Sequence, residues 1–269
     1  RASQVNLDGG SHWQVTGDSN MTALNNGGTV EFMSPGSSGA FKTITVNGDY
    51  VGGGTVVINT TLDDDLSGSD KLIINGDTSG STGLIVNNFN GAGAETTNGI
   101  EVITVNGQSN GTFNLQNRAV AGAYEYFLHQ DSGNWYLRSL LRSDPGDEGP
   151  VYRPEAGAYI ANIASARRLF NLRLEDREGR KQDSSLWLRQ VASRNKSRDS
   201  TGQLAMASNS YVVQGGGEIV QGRLAENDRI GLGVMAGYTR SNGETRSTRS
   251  NHIANNTLDG YSVGAYATW

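Results

Sequence analysis

Short alternating apolar runs, broken by Gly, Asn or Thr, fill the first half of this chain. Such runs predict β-strands joined by tight turns. Val46-Asn47-Gly48, Ile74-Asn75-Gly76 and Val105-Asn106-Gly107 each close a β-branched run, at spacings of 28 and 31 residues. A polar loop and a new strand follow each time: Thr55-Val56-Val57-Ile58, Gly83-Leu84-Ile85-Val86 and Thr112-Phe113-Asn114-Leu115. Asn-Gly tolerates positive φ, so the chain can reverse there. A period of this size without helical patterning predicts a β-helix, a solenoid whose coils bury their apolar faces on one another. A Greek-key sandwich is the competing architecture.

The end of this segment, residues 1–140, is aromatic. Tyr124, Tyr126 and Phe127 fall in one strand, and Trp135 and Tyr136 in the next, across the turn Asp131-Ser132-Gly133-Asn134. Paired aromatic strands pack well, and a solenoid needs its open end closed. These five residues are the candidate stem cap. A ligand-stacking platform would use the same side chains.

Residues 141–180 read as a linker and a helix. Arg142 to Pro150 is linker-like in composition. Pro154 suits the first helical position and Glu155 the first turn. The helix is expected from Pro154 to about Glu178, stopped by Gly179. Ala156, Ile160, Ile163, Phe170 and Leu174 form an apolar stripe, with Arg167 in the missing place. About 25 residues at 1.5 Å each span roughly 37 Å, a bilayer's depth. Arg167 and Arg168 nevertheless forbid contact with lipid, so this helix could cross only inside a polar lumen. A plain surface helix is the alternative.

Residues 181–269 alternate differently. From Arg229 to Thr239, Ile230, Leu232, Val234, Ala236 and Tyr238 share one face, against Gly231, Gly233, Met235 and Gly237. From Asp259 to Trp269, Tyr261, Val263, Ala265, Ala267 and Trp269 oppose Gly260, Ser262, Gly264, Tyr266 and Thr268. Runs of this length suit tilted membrane-crossing strands, with apolar residues facing lipid and small or polar ones facing a lumen. Ile230, Leu232, Val234, Ala236, Tyr238, Tyr261, Val263 and Ala265 are the candidate lipid-facing set. Tyr211 to Arg223 repeats the pattern weakly, and Ser241 to Thr257 is expected as a long polar loop.

Composition narrows the function classes. The chain has 269 residues, 37 glycines, no cysteine and a net charge of -5. Without cysteines there is no disulfide framework and no thiolate metal site. Interspersed charges leave no footprint for nucleic acid. No apolar run is long enough for a membrane-spanning helix, so entry into a membrane would be by β-barrel. His12, His129 and His252 are scattered, which argues against a catalytic triad or metal centre, and no cofactor is expected. Asp63-Asp64-Asp65 is a weak calcium candidate set against a solvated turn. Arg1-Ala2-Ser3-Gln4 reads as polar strand and not as a signal peptide, so a piece of something longer is expected.

Several ordered motifs carry a family resemblance. Ser11-His12-Trp13-Gln14-Val15-Thr16-Gly17 with Leu24 looks like the end of a passenger β-helix. Asp70-Lys71-Leu72, Gly76-Asp77-Thr78-Ser79-Gly80 and Asn134-Trp135-Tyr136-Leu137 look like an autochaperone region. Pro154-Glu155-Ala156-Gly157-Ala158-Tyr159, Leu169-Phe170 and Asp176-Arg177 look like a linker into a barrel, and Ser185-Leu186-Trp187-Leu188-Arg189 like a first barrel strand. Together they resemble an autotransporter (type V secretion) protein of the AIDA/pertactin type along essentially the whole chain. The resemblance implies a mainly β fold: a right-handed β-helix stem, a helix threading a pore, and an antiparallel outer-membrane barrel of twelve strands, of which this chain has room for about four. It implies no enzyme, a place in the outer membrane or cell surface of a Gram-negative bacterium, and a role in folding, translocating and displaying an N-terminal passenger. Implied partners are outer-membrane lipid, the barrel-assembly machinery, the chain's own passenger, and host surfaces or other cells. The Asn-Asn step at which some relatives cleave themselves is absent between residues 154 and 178. A β-helical adhesin recognising glycans or host proteins is the alternative function; a β-helical polysaccharide enzyme would need aligned carboxylates that the sequence does not supply.

Overall fold

The structure is a computed structural model describing residues 3–140, 149–171, 186–223 and 230–268. It divides into two compact units, Arg1–Tyr152 and Arg153–Trp269.

The first unit is a β-solenoid with three strands per coil. Its first coil holds β1 (Gln4–Leu7), β2 (His12–Val15) and β3 (Ser19–Met21). The second holds β4 (Ala23–Asn26), β5 (Thr29–Phe32) and β6 (Thr43–Val46), and the third β7 (Tyr50–Gly52), β8 (Thr55–Thr60) and β9 (Lys71–Ile74). In the fourth, β10 (Thr78–Asn88) serves two faces at once, pairing with both β7 and β8, and β11 (Ile100–Val105) serves the third. β10 turns the corner at Gly80, whose φ of 76° and close approach to the Gly52 carbonyl leave no room for a side chain.

Register follows the repeat expected from the sequence. Val46 lies over Ile74 and Ile74 over Val105, as Ile44 does over Leu72 and Leu72 over Ile103. Alternation turns these side chains inward, where all but Val105 are at most 1% exposed. The Asn-Gly turns stack outside as a ladder: Asn75 Nδ2 donates to Asn47 Oδ1 at 3.3 Å, and Asn106 Nδ2 to Asn75 Oδ1 at 2.8 Å. One corner is polar and buried. Asp70, wholly buried, accepts from the backbone N–H groups of Lys42 and Asn59 and from Asn59 Nδ2, each at 2.8 Å. That satisfies a carboxylate that would otherwise oppose folding.

Four further strands end the stack. β12 (Thr112–Leu115) adds a parallel partner to β10. β13 (Ala119–Ala121), β14 (Tyr124–Asp131) and β15 (Asn134–Arg138) run antiparallel, and β15 lies along β11, pairing Trp135 with Ile103 and Leu137 with Ile100.

Among its described residues the second unit is one helix on a four-stranded antiparallel sheet. α1 (Pro154–Arg168) starts as expected, with Arg153 extended, Pro154 in the first turn and Glu155 beside it. Among the described residues it ends sooner than expected. Helical geometry stops at Arg168, a turn follows at Leu169 and Phe170, and the stretch containing Leu174, Glu178 and Gly179 lies outside the described residues. The sheet runs β16 (Leu186–Arg198), β17 (Leu204–Gly222), β18 (Ile230–Ser247) and β19 (Ile253–Thr268) in that order. The strands are 13 to 19 residues long, so the expected loop from Ser241 to Thr257 is a correction: most of it is strand, and only residues 248–252 turn. Polarity misled that expectation. Antiparallel pairing from Ser241↔Leu258 to Arg246↔Ile253 satisfies the backbone there without an apolar face.

Candidate functional site: the stem cap and the strand wall

The cap is built on the turn at Ser132 and Gly133, whose φ values of 51° and 92° give both central residues the positive φ of a type I′ hairpin. Across it, Trp135 sits 8% exposed with its ring edge-on to Phe113 at 5.4 Å, and Phe113 stacks on Tyr50 at 5.8 Å. An aromatic column thus runs from the third coil through β12 into the cap. Tyr126 is fully buried, and its hydroxyl donates to the carbonyls of Asp63 and Ala94 and accepts from the Ala94 N–H. Burial pushes that hydroxyl up to about 12. Tyr124 packs on Tyr152, while Phe127 and Tyr136 are half-buried, with Tyr136 reaching Glu101 at 3.3 Å. Trp135 and Tyr126 therefore share the interior, and the other three cap candidates line its rim.

Charges missed in the sequence brace the cap from within, tie it to the coils through Arg138, and join loops of the coils to one another. Glu125 is buried and takes a two-pronged contact from Arg118, at 3.0 and 3.1 Å. Arg138 reaches Asp131 at 2.6 Å and the carbonyl of Asn98. Asp65 accepts from the backbone N–H groups of Thr97, Asn98 and Gly99. Burial alone would raise this carboxyl, but those donors and the charge of Arg138 hold it below its usual range. Asp65 is therefore a clasp between two loops, the use to which the structure puts the third residue of the acidic run. Nothing local announces it, because its partners lie more than thirty positions away.

His129, in β14, faces the same cationic Arg138. Burial first, and that charge second, push its pKa down. An unfolded histidine takes up its proton near pH 6.5; the folded stem resists until lower pH. Its contribution is complete above the unfolded value and is lost as pH falls below it. His129→Gln should therefore remove part of the loss of stem stability between about pH 7 and pH 5. Urea midpoints of wild type and variant, compared across that range, test it; parallel curves would rule it out.

In the second unit the two faces of the sheet differ sharply. Gln214, Thr239, Ser241, Thr245 and Ser247 are buried on the helix side. There Asn256 Nδ2 donates to Asn162 Oδ1 at 2.6 Å, and Arg189 Nη1 to Gln214 Oε1 at 2.7 Å. α1 meets this surface with its small residues. A methyl on Gly157 would come within 2.8 Å of Thr245, and methyls on Gly237 or Gly260 would press on the Phe170 ring at 3.2 Å. Ile160 and Ile163 face away from these strands, 61% and 55% exposed, and Arg167 is exposed too. The lumen candidates are thus split between two sides, Phe170 on the sheet and the isoleucines off it. Close approach explains the split, since only small residues fit over a surface of Gly, Ser and Thr.

The opposite face is apolar over part of its length. Leu188, Gly215, Ala236 and Val263 form one cross-strand row; Leu186, Gly217, Val234 and Ala265 form the next. Val220, Leu232 and Ala267 continue it past a bulge at Glu218/Val220, with Ile230 beyond. Leu232, Val234, Tyr261 and Val263 are 49–90% exposed. The zone ends in tyrosines: Tyr238 lies against Tyr261 at 5.3 Å, with Tyr211 one row on. All eight lipid-face candidates fall on this one face.

Known proteins match both units. The Autochaperone Domain Type 1 family covers residues 19–128, and the Autotransporter beta-domain family covers residues 186–269. The chain belongs to the autotransporters, which places it in the outer membrane of Gram-negative bacteria. It is 44% identical to the uncharacterized protein YdeU of Escherichia coli over 85% of this chain and 56% of that one. It is 35% identical to the Escherichia coli autotransporter adhesin AIDA-I over 88% of this chain and 19% of that one. The adhesin BmaC autotransporter of Brucella suis is 40% identical over 49% of this chain and 4% of its own. The solved transport unit of AIDA-I aligns with 44% of this chain and 37% of its own, at 40% identity and a TM-score of 0.40. The chain thus spans about half of YdeU and about a fifth of AIDA-I.

Proposed function

We propose that this chain drives the folding and surface display of an N-terminal passenger, without catalysis. Residues 1–140 act as the end of the passenger stem, residues 141–180 as the connection into a pore, and residues 181–269 as part of its wall. One observation carries the reading: the stem is sealed by β13–β15 at the end nearer the helix in sequence, while β1–β3 keep an unpaired edge among the described residues. Coils can therefore be added from the cap toward the N-terminus. Each addition buries side chains worth about 1.5–3 kcal/mol apiece, so backward movement through a pore becomes unfavourable.

The wall reading rests on the divided sheet. An outward apolar face and an inward polar one suit a barrel between lipid and lumen. Among the described residues β16 and β19 each keep an unpaired edge, which lipid would leave unsatisfied, so a barrel needs further strands there. The barrel-assembly machinery is the partner this implies. Recognition of glycans or host proteins is a second reading, favoured by the exposed asparagine ladder and by the adhesin relatives.

The test is display. With this chain in its full-length protein, antibody to a tag in the exposed turn after Leu7 should label intact cells. Trp135→Ala should cut that labelling severalfold at equal protein level, and equal labelling would refute cap-first folding.

A further inference from the structure

The outward face of the sheet continues past the tyrosines, and there its chemistry becomes basic. Arg194, Lys196 and Arg198 alternate along β16, all exposed, and no acidic group pairs with them among the described residues. Cross-strand register sets Lys196 beside Ala207 and Arg198 beside Ala205, then Arg246 beyond Ala205 on β18. The alanines keep the floor low, leaving an open trough of about 450 Å³ lined by Lys196, Arg198 and Arg246, with Arg194 next in file on β16 toward the tyrosines. Its one carboxylate, Glu244, is already engaged by Arg246 at 3.2 Å.

We propose that this trough binds the phosphate groups of an anionic outer-leaflet lipid whose acyl chains lie along the apolar rows. The proposal rests on the membrane placement of these strands. Three features favour a lipid over a free anion. The trough shares a face with the lipid-compatible rows, so one molecule can use both. It begins just past Tyr211 and Tyr238, and aromatic rows mark the level where acyl chains give way to headgroups. Alternate strand residues stand about 7 Å apart, so three cations in file can meet more than one phosphate of a bulky headgroup.

The test uses the full-length protein that carries this chain, so that β16 and β19 have their neighbours, and phosphatidylcholine vesicles with either diphosphorylated lipid A or its dephosphorylated form, with partition read by flotation. Wild type should favour the phosphorylated vesicles roughly tenfold at low salt, less as salt screens the charges. Arg194→Gln/Lys196→Gln/Arg198→Gln should lose that preference while still entering plain phosphatidylcholine vesicles, which shows that it folds. A preference that survives in the variant, or is missing from wild type, overturns the proposal. So does complete displacement by about 10 mM inorganic phosphate, a dose too dilute to act by screening alone, since that would mark a free-anion site. If wild type enters no vesicle of any kind, the membrane placement fails first and the lipid site with it.

Discussion

Trp135→Ala should destabilise the stem by about 3–5 kcal/mol, the range for truncating a large buried aromatic. Trp135 is almost wholly buried, pairs with Ile103 at the end of the parallel stack, and carries the aromatic column from Tyr50 through Phe113. The lost ring pair adds about 0.5–1.5 kcal/mol to the area lost. Tyr136→Ala, one residue on, removes a half-buried ring whose hydroxyl donates to Glu101 at 3.3 Å and accepts from Asn134 at 3.5 Å, and over which Arg138 lies at 5.5 Å. It should cost about 1–2 kcal/mol. Refolding should slow markedly in the first variant and little in the second. Urea titration of the full chain, followed by amide exchange at Ile74, Leu84 and Ile103, reads the difference. Equal effects of the two substitutions would mean that the hairpin ornaments the stack instead of closing it.

The coil repeat could be read directly from residues because the β-solenoid is a local code. The Asn-Gly corners recur from coil to coil, though none of their residues takes the positive φ expected of them. Gly48, Gly76 and Gly107 instead lie too close to the backbone of the neighbouring coil to carry a side chain, and Val46, Ile74 and Val105 stack at the spacings at which they are written. The same holds for the outward rows of the sheet, since period-two alternation survives any change in strand length. What stayed hidden depends on contacts far apart in sequence. Asp65, Arg138 and the Arg118–Glu125 pair look like ordinary surface charges until folding sets them together. The helix misled for another reason. Its expected apolar stripe does not stay on one side, since Ile160 and Ile163 lie off the sheet and Phe170 on it; closeness of approach selects the side that meets the sheet, so Gly157 and Ala158 are buried while Ile160 is not. Polar strand residues past the tyrosines read as a loop in sequence because neither of their faces is apolar.

Val234→Arg should cost about 2–4 kcal/mol when the full-length protein that carries this chain is folded in phosphatidylcholine vesicles, the penalty for a cation near the middle of a barrel's lipid face. Val234 occupies an interior row of the apolar zone, between Gly217 and Ala265. From Ile230 to Tyr238 that zone covers about 27 Å of strand, or roughly 20 Å along the membrane normal at a 40° tilt, close to the apolar band of such barrels. Asn242→Arg supplies the control. It lies on the same strand and face, eight positions on and past the tyrosine level, where Arg240 already stands. There an added arginine should cost nearly nothing. The contrast separates lipid from water as the solvent of this face: in a water-soluble sheet, arginine at a half-exposed valine would be tolerated about as well at either place. Vesicle folding free energies that match for the two variants would therefore remove the lipid-facing assignment of the whole row, whatever the stem does.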